Sequence, residues 1–227
     1  MAMSTGEEAR LDRRFELIEA ILLSLAAVLT AWAGFQATKW SGEQANSYSE
    51  AAASRVNATQ ASDLANEERL ADLVTFTEWL AAAEREGLLL EGGDGTYTPD
   101  PDQLSGFIYE RFRPEFAVAV DAWLATSPWD ETSDPTTPFQ VPEYSSAAAD
   151  DAERLEEEAD RKAEDAREAN DISDRYVLVT IMLASVLFFA GIGSKMDTFK
   201  ARMVMLGVGG TLLVVSTVIV LSFPTQL

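Results

Sequence analysis

The sequence predicts an all-α integral membrane protein: three transmembrane helices, a long external antiparallel helical stalk and a small helical, Pro-rich tip. Three observations predict it. Residues 20–38, 176–194 and 203–223 carry no charged side chain. Each stretch is close to the roughly 20 residues that an α-helix needs to cross about 30 Å of hydrocarbon. One segment, 41–174, holds 32 of the 38 acidic residues and nine of the 17 basic ones, so its charge is −23 within a chain of net −21. Finally, Ala, Glu, Gln and Leu dominate residues 41–90 of that segment, residues 145–174 repeat the style in AAADDAERLEEEADRKAEDAREANDISD, and both carry apolar residues at helical spacing.

The chain begins with a cytoplasmic tail, 1–16, followed by a first span over 17–40. Arg10, Arg13, Arg14 and the string Ala31-Trp32-Ala33 have the form of a secretory signal with a cleavage site. Hydrophobicity nevertheless continues past Ala33 through Gly34 and Phe35, and Trp40 suits an interfacial anchor, so an uncleaved signal-anchor is expected. Glu19, Ser24, Thr30 and Gln36 are the polar candidates of this span, either lining a pore or packing against other helices. Glu19 is placed to snorkel or to pair with Lys200 or Arg202. The small-residue pairs Ala20/Ser24, Ala27/Ala31 and Thr30/Gly34 favour close helix packing.

The external segment reads in three parts. Residues 41–90 form a helix, with spaced apolar positions at Ala45, Tyr48, Ala52, Val56, Leu64, Leu73, Leu80 and Ala83. Gly87 and Gly92-Gly93 are its stop signals. Residues 91–144 form the tip and contain seven of the eight prolines. Within it, a short helix is expected over 103–112, and a second begins at Pro114 and ends near Leu124, because proline suits a first helical turn. Phe107, Phe112, Phe116, Trp123 and Trp129 are its candidate core. Residues 145–174 form the returning helix, with Ala152, Leu155, Ala159, Ala163, Ala166 and Asn170 on one face. Only Ser41-Gly42 interrupts the passage from the first span, and nothing interrupts Asp174 onward. The two external helices therefore read as continuations of the first and second spans.

A second span over 175–194 and a third over 203–223 follow, joined by a cytoplasmic loop, 195–202; an external tail, 224–227, ends the chain. Gly207, Gly209 and Gly210 in the third span point to close packing. Six basic residues (Arg10, Arg13, Arg14, Lys195, Lys200, Arg202) flank the inner ends, against Lys39 and Arg175 outside. The positive-inside rule then places the N-terminus in the cytoplasm and 41–174 beyond the plasma membrane.

Composition narrows the chemistry. With no Cys and no His, the chain has no disulfides, no thiol or Ser-His-Asp catalysis, and no Cys- or His-ligated zinc. A polyanion is a poor nucleic-acid binder, because binding there depends on basic side chains displacing counterions. Asp94, Asp100 and Asp102 offer a candidate calcium turn, though their spacing is not that of an EF-hand loop and a solvated turn is the plainer reading. Glu115 and Asp121 sit six apart on one short helix, a poor arrangement for glycoside chemistry. Asn57-Ala58-Thr59 matches a glycosylation sequon, a pattern common by chance. No catalytic motif and no cofactor fingerprint is present.

Four strings occur together: LIEAILLSLAAVLTAWAGFQATKWSGEQA (17–45), RFRPEFAVAVDAWLATSPW (111–129), TPFQVPEY (137–144) and YVLVTIMLASVLFFAGI (176–192). They resemble those of a group of uncharacterised prokaryotic three-span membrane proteins with this order of segments. The resemblance implies architecture, and no activity comes with it. Two functional classes stand. The first is a non-enzymatic, oligomeric scaffold or interaction protein with protein partners on the external side and lipid around its spans. The second is an ion-conducting oligomer whose acidic external part forms a vestibule.

Overall fold

The computed structural model describes residues 5–87, 97–128, 136–196 and 198–226, with side chains from residue 13 onward. It is helical, and no strand occurs among the described residues. The elements in order are α1 (Thr5–Arg85), α2 (Leu104–Tyr109), α3 (Pro114–Ala125), a 3₁₀ turn (Pro138–Gln140), α4 (Ala147–Gly193) and α5 (Phe199–Leu221). α1, α4 and α5 are each long and apolar enough to cross a membrane. The chain divides into two compact units, one made of Met1–Ala51 with Asp160–Leu227, the other of Ala52–Ala159.

The first unit is a three-helix bundle. Ser173 Oγ of α4 donates to the Ala37 carbonyl of α1 at 3.0 Å, and Lys162 Nζ meets Glu50 at 2.7 Å. As α1 advances α4 recedes, so these two helices are antiparallel. α5 runs parallel to α1, because Arg202 meets Glu19 at one end and Gln226 meets Gln36 at the other. Ala26, Ala33 and Ala37 face Tyr176, Val179, Leu183 and Val186, with Leu213 and Val220 of α5 completing the core. The larger side chains point outward: Leu17, Ile21, Leu25 and Val28 of α1, Ile181 and Phe188 of α4, and Val214 and Val218 of α5 are each half exposed or more. In water this arrangement would be inverted. Lipid tails solvate such a surface, and small residues inside let the backbones approach.

The second unit is built on an aromatic core. Phe76 and Trp79 of α1 pack with Phe112, Phe116 and Trp123 of the α2–α3 region and with Val141. Phe76 stacks on Trp79 at a centroid distance of 5.8 Å and meets Trp123 edge-on at 5.3 Å. Pro114 opens α3 as anticipated, and Thr126 caps its end. Ser127 then takes a left-handed turn at φ 54° ahead of Pro128. At Gly106 a Cβ would stand 1.9 Å from the Asp100 carbonyl oxygen, so only glycine lets residues 97–103 cross α2 there.

Several expectations need correction. α1 passes through Ser41-Gly42 unbroken, as the continuous reading expects, and Gly87 at φ 72° follows its end, but that end is Arg85 and not residue 90. α2 covers Leu104–Tyr109, less than the expected 103–112. On α1, Ala83 is buried and Leu80 packs against the aromatic core as expected, but Tyr48, Val56, Leu64 and Leu73 are exposed, while Ser47, Ala51, Ser54 and Ala58 are buried. Over residues 47–58 the face that packs is therefore the small-residue face, because closely approaching helices leave no room for leucine. Ala159, Ala163 and Ala166 of α4 are buried as expected. Phe107 lies half exposed outside the aromatic core, beneath the Arg111 guanidinium at 3.3 Å. Trp129 lies outside the described residues.

Candidate functional site

Two of the polar residues expected in the first span, Glu19 and Gln36, occupy clamps, one at each end of the bundle. At one end Arg202 Nε donates to Glu19 Oε1 at 2.8 Å and Nη2 donates to Oε2 at 3.1 Å. This bidentate fork leaves the Glu19 side chain 6% exposed and that of Arg202 15%. Breaking a pair so buried costs about 3–5 kcal/mol, because one charge is left stranded. Arg202 also stands over the Phe15 ring at 5.4 Å, and Phe15 meets Phe199 edge-on at the same distance.

At the other end Gln36, fully buried, is bonded on both sides of its amide. Nε2 donates to the Gln226 carbonyl at 2.9 Å, and Oε1 accepts the Gln226 N–H at 2.9 Å. Trp40 Nε1 and Tyr176 Oη both donate to the Pro224 carbonyl, at 3.2 and 3.0 Å. Phe223 meets the Tyr176 ring at 5.3 Å. Glu19 and Gln36 are 17 residues apart in one helix, about 26 Å. That is close to the hydrocarbon thickness of about 30 Å, so both clamps fit at its margins, where polar groups are tolerated.

Ser24 and Thr30 are satisfied locally, donating to the Ala20 and Ala26 carbonyls at 2.7 Å. A hydroxyl so engaged needs no partner from another helix. Ser216 of α5 differs: its Oγ is buried and has no hydrogen-bond partner among the described residues. Of the third-span glycines, Gly209 faces α4, where a Cβ would meet Phe189 and Val186 at 3.7 Å, whereas Gly207 and Gly210 face open space.

The second unit contains a different polar cluster. Asp72, 4% exposed, accepts from Arg113 Nη2 at 2.9 Å and from the Tyr144 hydroxyl at 3.3 Å. Arg113 also donates to the Ser145 carbonyl at 3.0 Å and lies 3.3 Å from Glu115 and 3.8 Å from Glu68. Ser146 Oγ donates to Glu68 at 2.7 Å. Burial alone would lower the Arg113 pKa, but the hydrogen bond and charge of Asp72, with Glu68 and Glu115, raise it above its ordinary value. Burial and then the Asp72 carboxylate push the Tyr144 phenol up, against the opposing effect of Arg113. Burial and the Asp121 carboxylate, to which its hydroxyl donates, push Tyr109 up as well. The cluster ties α1, α3 and the start of α4 together, and its carboxylates are occupied by structural partners.

Of the proposed calcium turn, Asp94 lies outside the described residues, and Asp100 Oδ1 accepts the Asp102 N–H at 3.0 Å. Among the described residues no group of three His, Cys, Asp or Glu side chains is placed to hold a metal. Glu115 and Asp121 have partners in Arg113 and Tyr109. Asn57 is exposed on a helix, not a loop.

Sequence reasoning missed three features. Phe76 and Trp79 are absent from the expected apolar positions of the 41–90 helix, although two large aromatics three apart in an alanine-rich helix are a signal. The Asp72–Arg113 pair joins residues 41 positions apart and has no local signature. The clamp on Pro224 and Gln226 uses main-chain groups, which no side-chain pattern announces. No protein-family model matches this chain, and neither the curated proteins nor the solved structures yield a match.

Proposed function

We propose that this chain is a non-enzymatic, oligomeric integral membrane protein that carries an acidic helical domain outside the plasma membrane as a scaffold for other proteins. In this reading α1, α4 and α5 are the three spans and the N-terminus is cytoplasmic. The external lengths of α1 and α4 form an antiparallel stalk, and the Pro-rich segment forms its tip. That order of segments is the one in the prokaryotic three-span proteins the sequence resembles.

The observation that carries the proposal is the condition of the first span's polar groups. Glu19 and Gln36 are consumed by clamps within one chain, and Ser24 and Thr30 by their own helix. These side chains support packing over conduction. Outside the apolar stretches, Val56, Leu64, Leu70 and Val74 are each half exposed or more, which supports contact with further protein.

The mass of the protein in mild detergent tests the assembly, and a lone monomer that recruits no partner overturns the scaffold. Cation-selective conductance in planar bilayers that changes with Glu19 or Gln36 would favour the channel class instead. Orientation is tested by Cys at Ser62, Ser145 or Ser194 and an impermeant maleimide on intact cells. All three positions are exposed, whereas Ser146 is buried and bonded to Glu68. Labelling at Ser62 and Ser145 but not at Ser194 is expected, and the reverse pattern means an inverted topology.

A further inference from the structure

At the Glu19 end of the bundle, Arg13, Arg14, Leu17 and Ile18 line an open cleft of about 550 Å³. Both arginines are exposed, and among the described residues neither has an ion-pair partner. Below them on the same helix, Leu17, Ile18, Ile21, Leu25 and Val28 form a continuous exposed apolar row. Two guanidiniums at the head of an apolar row present charge where headgroups lie and hydrocarbon where acyl chains lie.

We propose that this cleft binds an anionic phospholipid, with Arg13 and Arg14 on its phosphate and Leu17 to Val28 along an acyl chain. The proposal rests on the membrane reading of α1. Charge favours it, since this end carries the basic residues Arg13, Arg14, Lys195, Lys200 and Arg202 in a chain that is otherwise strongly acidic. Continuity favours it too, because a soluble anion would leave the apolar half of the cleft unused. Guanidinium also suits phosphate, which it engages with two parallel hydrogen bonds. Each basic side chain near an anionic surface contributes about 1 kcal/mol, so two correspond to a preference of roughly thirtyfold.

The experiment uses the full chain purified in mild detergent, stripped of lipid, and titrated with phosphatidylglycerol or phosphatidylcholine under native mass spectrometry. Wild-type protein should retain phosphatidylglycerol at roughly thirtyfold lower concentration than phosphatidylcholine. The double variant R13Q/R14Q should lose most of that preference, while K39Q at the far end of the span keeps it. Should R13Q/R14Q fail to fold, the wild-type preference must still fall between 50 and 500 mM salt. Equal retention of the two lipids overturns the proposal, as does a preference unchanged in folded R13Q/R14Q. A loss confined to K195Q/K200Q, or displacement of the lipid by millimolar inorganic phosphate, overturns it too. Failure of the membrane reading looks different: the protein would leave the membrane fraction in an alkaline carbonate wash, whatever lipid it prefers.

Discussion

Replacing Asp72 by alanine strands the Arg113 guanidinium in the second unit. The Asp72 side chain is 4% exposed and that of Arg113 19%, and 2.9 Å separates their charged atoms. Removing one partner of a buried pair costs about 3–5 kcal/mol. Glu115 at 3.3 Å and Glu68 at 3.8 Å remain beside the guanidinium, so the lower end, about 3 kcal/mol, is expected. The Tyr144 hydroxyl also loses its acceptor, but it lies close enough to the surface to find water. Trp79 and Trp123 are buried in this unit, so fluorescence of the full chain in detergent under urea reports its unfolding. With a slope near 1.5 kcal/mol per molar urea, Asp72→Ala should lower the midpoint by about 2 M. Asp72→Asn keeps an acceptor and should cost about half as much. Asp72→Leu with Arg113→Met removes both charges and should recover most of the loss. A midpoint shift below about 0.5 M, or a double variant no more stable than Asp72→Ala, refutes the reasoning.

Gly106→Ala places a Cβ against the Asp100 carbonyl; it should displace residues 97–103 and cost about 1–3 kcal/mol, measured by urea midpoint with loss of near-ultraviolet ellipticity. Gln36→Leu removes both bonds to Gln226, so digestion by carboxypeptidase should shorten the chain several-fold faster than in wild type, with the helical spectrum unchanged. The raised pKa values of Tyr109 and Tyr144 make the folded second unit bind their protons more tightly than the unfolded chain. That stability is fully present below pH about 10 and is lost as pH rises through the folded values. Alkaline titration at 295 nm should therefore show two phenols that ionise only with unfolding, and Tyr109→Phe with Tyr144→Phe should flatten the loss.

Element order was legible in the sequence because each signal is local. A charge-free run of about 20 residues, Pro114 at a helix start and Gly87 at a helix end each declare themselves within a few positions. The packing face of α1 over residues 47–58 was not legible, although Leu80 and Ala83 further along were. A search for the largest apolar residues selects Tyr48, Val56 and Leu64, whereas Ser47, Ala51, Ser54 and Ala58 are the ones buried. Hydrophobicity ranks residues by transfer energy, and a tight helix contact ranks them by size. The Glu19 clamp was half legible, since Lys200 and Arg202 were both within reach of a carboxylate at that end. Nothing in composition chooses the guanidinium, whose planar fork matches both carboxylate oxygens. The Gln36 clamp was opaque, because its partners are peptide groups.

The two clamps also bear on how the chain is made. Glu19 waits for a partner 183 positions later, and Gln36 for one 190 positions later. If α1 is a membrane span, during synthesis it reaches the bilayer long before either partner exists. Its charge-free centre lets it insert alone, with one polar group waiting at each margin. Arrival of the last helix then satisfies both at once, so the unsatisfied pair marks every chain whose third helix has not yet docked. A chain stalled or truncated before Arg202 would be left with a free carboxylate at Glu19 and a free amide at Gln36.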